Sequence, residues 1–173
     1  MEGGASRRER RRRTDRGTTG GGAAGRRALR AARPRRACAR RREQWRMTDY
    51  VIDASAFLAI VRDELGADRA SARLRGALMS TVNASEAFMR GVEKGIPLDL
   101  MRELLISQDV RFIDFDHGLA VRTAGLRPST EQAGLSFADR ACLATAIACK
   151  ATVVTADRAW AALDLPCPIE LIR

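Results

Sequence analysis

Histidine and metal-type cysteine pairs are what this sequence lacks first: one histidine, His117, and four cysteines stand among 173 residues. Cys38, Cys142, Cys149 and Cys167 show no metal-type pairing, so no Cys/His cluster is available for zinc. Cys142 and Cys149 sit seven apart in an apolar stretch and read as small core residues. Nothing in the pattern points to an oxidising compartment. No apolar run approaches the length of a membrane span, and no secretory apolar core is present. The globular part is therefore expected to be a soluble, cytoplasmic domain with no membrane partner.

Large apolar residues are nearly missing from the first 46 positions, and the charge there is of one sign. Residues 1–46 hold 17 of the 31 Lys+Arg, every one an arginine, against Glu2, Glu9, Asp15 and Glu43, for a net +13. The remainder carries 14 basic and 17 acidic residues, or −3, so the high pI belongs to this first stretch. Arginine runs at Arg10 to Arg13 and Arg40 to Arg42, with Gly20-Gly21-Gly22, predict a disordered tail that cannot offset its ordering entropy. Three further readings compete. An arginine-dense arm binds nucleic acid through counterion release. A transit peptide is arginine-rich too, but this stretch is glycine-rich and lacks a clear amphipathic face. Third, arginine-, glycine- and alanine-heavy sequence resembles translated GC-rich leader DNA, and a strand pattern begins just after Met47, which would then be the true start. The boundaries are 1–46 for the tail and 47–173 for the domain, and the domain is expected to fold without the tail.

From Met47 the patterning alternates. Tyr50-Val51-Ile52 reads as a buried parallel strand ending at Asp53. Further strands are predicted at Leu78–Ser80, Val110–Ile113, Thr152–Thr155 and Ile169–Ile172. Helices are predicted from Ser55, over Gly66–Arg75, from Asn83 to about Lys94, from Pro97 through Ile106, and from Asp116 to near Leu126. Arg127 to Gly134 reads as a loop, and Asp157 to Ala162 as a helical turn. The stretch from Ala141 to Cys149 is apolar on most sides, and a helix of that kind is buried. Ser136-x-x-Asp139 before it approximates a capping box. Strands alternating with helices predict an α/β, three-layer fold with a central parallel sheet flanked by helices.

Four acids fall at strand ends or at the start of the helix facing that edge: Asp53, Glu86, Asp139 and Asp157. Each alone has a capping explanation, with Asn83-x-x-Glu86 resembling a second capping box. Together they crowd one edge of one sheet, where ligands bind in such folds and where mutual repulsion calls for a cation. An all-oxygen set suits Mg2+, with Mn2+ an alternative, and such a site hydrolyses phosphodiesters by in-line attack. Ser55, Ser136 and Thr155 could offer hydroxyls to water or phosphate. His117 stands apart from the acids and reads as helix surface.

Four segments in order carry a resemblance: Val51-Ile52-Asp53-Ala54-Ser55-Ala56, Asn83-Ala84-Ser85-Glu86, Leu135 through Ala144, and Thr155-Ala156-Asp157-Arg158-Ala159-Trp160. The chain resembles PIN domains over Met47 to Arg173, and most of all the VapC-type ribonuclease toxins of bacterial toxin–antitoxin pairs. That resemblance implies a metal-dependent endoribonuclease, often dimeric, inhibited by a cognate antitoxin. It implies Asp53, Glu86 and Asp139 as metal-binding acids, Asp157 as a fourth and more variable one, and Ser136 as the hydroxyl near the site. Trp160 takes the place of a packing aromatic. The tail is not a usual feature of the family, which favours a start at Met47.

The domain's −3 argues against a broad phosphate-binding face. RNA would be gripped locally, with Arg62, Arg90, Lys94, Arg140 and Arg158 as candidates; ordinary solvated surface explains each of these except Arg140, the neighbour of Asp139. A haloacid dehalogenase-like phosphatase would need a second Asp where Ser55 stands. A receiver-type domain gives no motive for Glu86 or for Asp139. A catalytically silent PIN-like domain that binds RNA or a partner is the remaining alternative, and the complete acid set weighs against it.

Overall fold

The computed structural model describes residues 50–173, so the readings of the tail and of a start at Met47 fall outside the described residues. Five short strands order the rest: β1 (Tyr50–Ile52), β2 (Leu78–Ser80), β3 (Arg111–Ile113), β4 (Thr152–Thr155) and β5 (Ile169–Leu171). All pair in parallel, in the order β3-β2-β1-β4-β5. Strand side chains alternate between faces, and here the alternation divides the core in two. Ile52, Met79 and Val154 join the cluster under α1 (Ala54–Val61), α2 (Ala67–Leu74), α3 (Thr81–Glu93) and α4 (Leu98–Ser107). Val51, Leu78 and Val153 join the opposite cluster under α5 (His117–Gly125) and α7 (Phe137–Cys149). Strands buried on both faces are largely apolar, as Val51 and Ile52 of β1 and Val153 and Val154 of β4 are.

β1 and β4 are neighbours although the chain visits β2 and β3 between them. The strand order reverses there, and the connections leaving their carboxyl ends diverge to opened space. Asp53 follows β1 directly, and Thr155 ends β4.

α7 is the buried helix that its composition predicts. Ala141, Cys142, Leu143, Ala144 and Ala146 are fully buried, and the buried Thr145 hydroxyl donates to the Ala141 carbonyl at 2.8 Å. Small residues let it lie close to both α5 and the sheet. Trp160 is fully buried in the same cluster, as expected of a packing aromatic, and His117 is exposed, as expected of helix surface.

Three local expectations need correction. α1 is capped by Asp53, whose carboxylate accepts from the Ser55 N–H, so Ser55 lies inside the helix rather than opening it. α3 starts at Thr81 because the Ser80 hydroxyl accepts from the Val82 N–H, and this puts Asn83 inside the helix, not at its cap. The segment expected to be a loop contains α6 (Arg127–Thr130), with Pro at its start and the Thr130 hydroxyl donating to the Leu126 carbonyl at 2.7 Å. Among the described residues, no helix is long and apolar enough to cross a membrane.

Candidate metal centre

Asp53 is 2% exposed, the most deeply buried of the candidate acids. Its Oδ2 accepts from the Ser55 N–H at 3.2 Å, the Ser55 hydroxyl at 2.5 Å and the Thr155 hydroxyl at 3.0 Å. These hydroxyls are themselves aimed. The Ala156 N–H donates to Ser55 Oγ at 3.0 Å, and the Asp157 N–H donates to Thr155 Oγ1 at 3.1 Å. One backbone donor fixes each hydroxyl within reach of the carboxylate, and the two hydroxyls stand 3.1 Å from each other. Burial nonetheless dominates and raises the Asp53 carboxyl from 3.8 to about 6; the Ser55 hydroxyl pulls it down, Asp139 pushes it up, and Thr155 pulls it down.

Asp139 comes from the other side of the crevice, in the first turn of α7. The capping box is complete: the Asp139 N–H donates to Ser136 Oγ at 3.2 Å, and the Ser136 N–H donates to Asp139 Oδ2 at 2.6 Å. The positive end of the helix favours the charge there. Ser136→Ala is expected to lower unfolding stability by about 1 kcal/mol, as read by urea denaturation; an unchanged midpoint would mean the box adds nothing.

Glu86 reaches in from α3. Its Oε1 accepts from Arg90 at 2.7 Å, one turn along the same helix, while Oε2 is buried with no partner. One carboxylate oxygen each from Asp53, Glu86 and Asp139 lie within 4.8 Å of one another. Below them Cys142 is fully buried, and burial first, then the neighbouring carboxylates, hold its thiol well above its ordinary value. It stays a neutral core residue, as its sequence context implied.

A family model described as "PIN domain" matches residues 50–165, a span that takes in all four acids. The chain belongs to the PIN-domain family. Among solved structures it is similar to VapBC2 from Rickettsia felis bound to a DNA fragment from their promoter, at 21% identity and TM-score 0.54, covering 70% of this chain and 96% of that one. A toxin–antitoxin complex from Klebsiella pneumoniae aligns at 16% identity and TM-score 0.56, covering 72% of this chain and 98% of that one. DNA-bound VapBC from Salmonella typhimurium gives 16% identity and TM-score 0.56 over 73% of this chain and 100% of its own. At such identities the likeness speaks for the fold. No curated protein matches the chain in sequence.

A hard divalent cation fits this PIN-domain crevice. The donors are all carboxylate oxygens, and the buried Glu86 Oε2 has no donor in the protein. An orphaned carboxylate oxygen is expensive to bury, and three carboxylates with an oxygen each within 4.8 Å repel one another. Asp53, Glu86 and Asp139 would hold the ion. Such an ion would supply Lewis-acid chemistry, stabilising negative charge that develops on an oxygen of a substrate. The chain's own contribution is positioning: Ser55 and Thr155 hold Asp53, Ser136 holds Asp139, and Arg90 holds Glu86.

Not every candidate converges. Asp157 is exposed, caps the 3-10 turn Arg158–Ala162 by accepting from the Ala159 N–H at 2.9 Å, and lies outside the group of three. Its backbone N–H still serves the site through Thr155. Arg140 is half-buried and donates to the Leu135 carbonyl at 2.6 Å, which braces the approach to α7. Arg62 pairs with Glu64 at 2.6 Å, and Arg90 is engaged by Glu86. Lys94 and Arg158 are exposed.

Asn83 was missed as part of the site. It is fully buried, and its amide donates to Asp53 Oδ1 at 3.1 Å and to the Ala138 carbonyl at 3.2 Å. The clue available in sequence was its spacing, three residues before Glu86 and so on the same face of a helix.

Proposed function

We propose that this PIN domain is a metal-dependent endoribonuclease that hydrolyses RNA phosphodiesters, with Mg2+ (or Mn2+) held by Asp53, Glu86 and Asp139. Asp157 is kept as the fourth and more variable acid, outside the group of three. The observation that carries the reading is the convergence of three carboxylates, one with an unpartnered buried oxygen, at the strand-order switch of the sheet. Beside them runs an open groove of about 520 Å³ walled by Thr81, Ser85, Glu86, Ser136 and Phe137, a place for a nucleic-acid strand next to the acids. Phe137 is half exposed there and braced edge-to-face by Phe115, which offers a base a face to stack on.

In the cell this nuclease acts as the toxin of a toxin–antitoxin pair, in the cytoplasm and as a homodimer, restrained by a small cognate protein. The support is the fold it shares with chains solved in toxin–antitoxin complexes. Purified protein is expected to cut single-stranded RNA with Mg2+ and to stop when EDTA is added. Expression should arrest growth unless a small protein encoded beside it is co-expressed. Folded protein that binds RNA without cutting it under any divalent metal would replace the reading with that of a silent binding domain.

A further inference from the structure

One carboxylate oxygen of Asp53 and one of Asp139 lie within 4.8 Å of each other, so the two charges repel. They sit on different elements, one just past β1 and one in the first turn of α7. The packing of the two cores brings those elements together, and the repulsion of the two charges works against it. Asn83 touches both. One amide proton goes to Asp53 Oδ1 and the other to the carbonyl of Ala138, the residue next to Asp139. Its orientation is set by chemistry, because a flipped amide would set its oxygen against two acceptors. The amide oxygen is then left buried with no partner. A fully buried side chain with an orphaned acceptor is a poor core residue. Leucine, with the same branched skeleton though greater bulk, would bury there without the orphan.

We infer that Asn83 is a positioning residue, a two-proton strut that holds the Asp53 and Asp139 carboxylates at cation-binding separation against their own repulsion. The assignment rests on the metal-site reading above. No one-proton side chain does the same job. Serine is too short to reach both acceptors and has one proton for them, and leucine has none. The strut acts through the two acids and forms no part of the reacting group.

The test is Mn2+ binding by calorimetry on wild type, Asn83→Leu and Asn83→Ser, with melting curves of each protein with and without Mn2+. Both variants are expected to fold, to bind Mn2+ about 10- to 100-fold more weakly, and to show a smaller Mn2+-induced rise in Tm. A residue that merely packs would lower both melting curves equally and leave the Mn2+ affinity unchanged, and that result overturns the inference while leaving the metal site standing. Loss of the fold in both variants would make Asn83 a structural residue and overturn it as well. A wild type that binds no Mn2+ overturns the metal site and the strut together.

Discussion

Asp139→Asn is expected to remove Mg2+-dependent RNA cleavage, with kcat/KM down about a thousand-fold or more, while the metal-free protein keeps its fold. The two halves of that expectation have separate causes. Asparagine has the same size and retains an oxygen that can accept from the Ser136 N–H, so the cap on α7 survives. What disappears is one of three charges that gather around the proposed ion. A metal's stabilisation of transition-state charge is worth several kcal/mol, and about 4 kcal/mol corresponds to a thousand-fold in rate. Single-turnover cleavage of an RNA by the folded variant at near wild-type rate would sink the assignment of Asp139. A variant that has lost its far-UV spectrum would instead show that the cap matters more than the geometry implies.

Asp53 should leave a second mark, in stability rather than rate. Its carboxyl titrates near 6 in the folded protein against 3.8 when unperturbed, so between those values the native state holds a proton that the unfolded chain has released. Stability then falls as pH rises through that window and levels off above it. Fully expressed, the penalty approaches about 3 kcal/mol from a shift of roughly two units. Asp53→Asn removes the titration. Relative to wild type, the metal-free variant should therefore gain stability between about pH 4 and about pH 7, and the difference isolates Asp53 from the other acids. Urea denaturation in EDTA at the two ends measures it. A wild type and variant whose difference does not change with pH would mean that Asp53 is ionised throughout. Metal works against the same penalty, because a ligand must be deprotonated to bind. The Mg2+-induced rise in Tm of the wild type is expected to grow as pH passes about 6.

Much of this architecture was legible because it rests on local rules. Val51 and Ile52 are buried on opposite faces of the sheet and show it by offering no polar side chain to either. Ser136 and Asp139 satisfy a cap whose two partners lie three residues apart, and the structure forms both of its hydrogen bonds. The Ala-rich body of α7 has no face fit for water, and it is buried. Where local rules misled, a longer-range contact had decided the matter. Asn83 carries a good capping side chain, but Ser80 stands earlier and takes the cap, which frees Asn83 to turn inward. Ser55 and Thr155 stand in sequence as candidate hydroxyls beside the site, and the group they serve is a matter of tertiary contact. They are 100 positions apart and both spend their protons on Asp53.

The alternation of strands and helices, the family and the candidate acids are all legible from residues within a turn or two of one another. Only the tertiary structure decided which acids meet. Asp53, Glu86 and Asp139 come from three elements that the reversal of strand order brings to one crevice, whereas Asp157 is held to its own turn. The physical reason is that a carboxylate's partners are chosen by distance through space. Sequence spacing limits that distance only within one helix or one turn, as for Glu86 with Arg90. Between β1, α3 and α7 the packing of the two cores sets it.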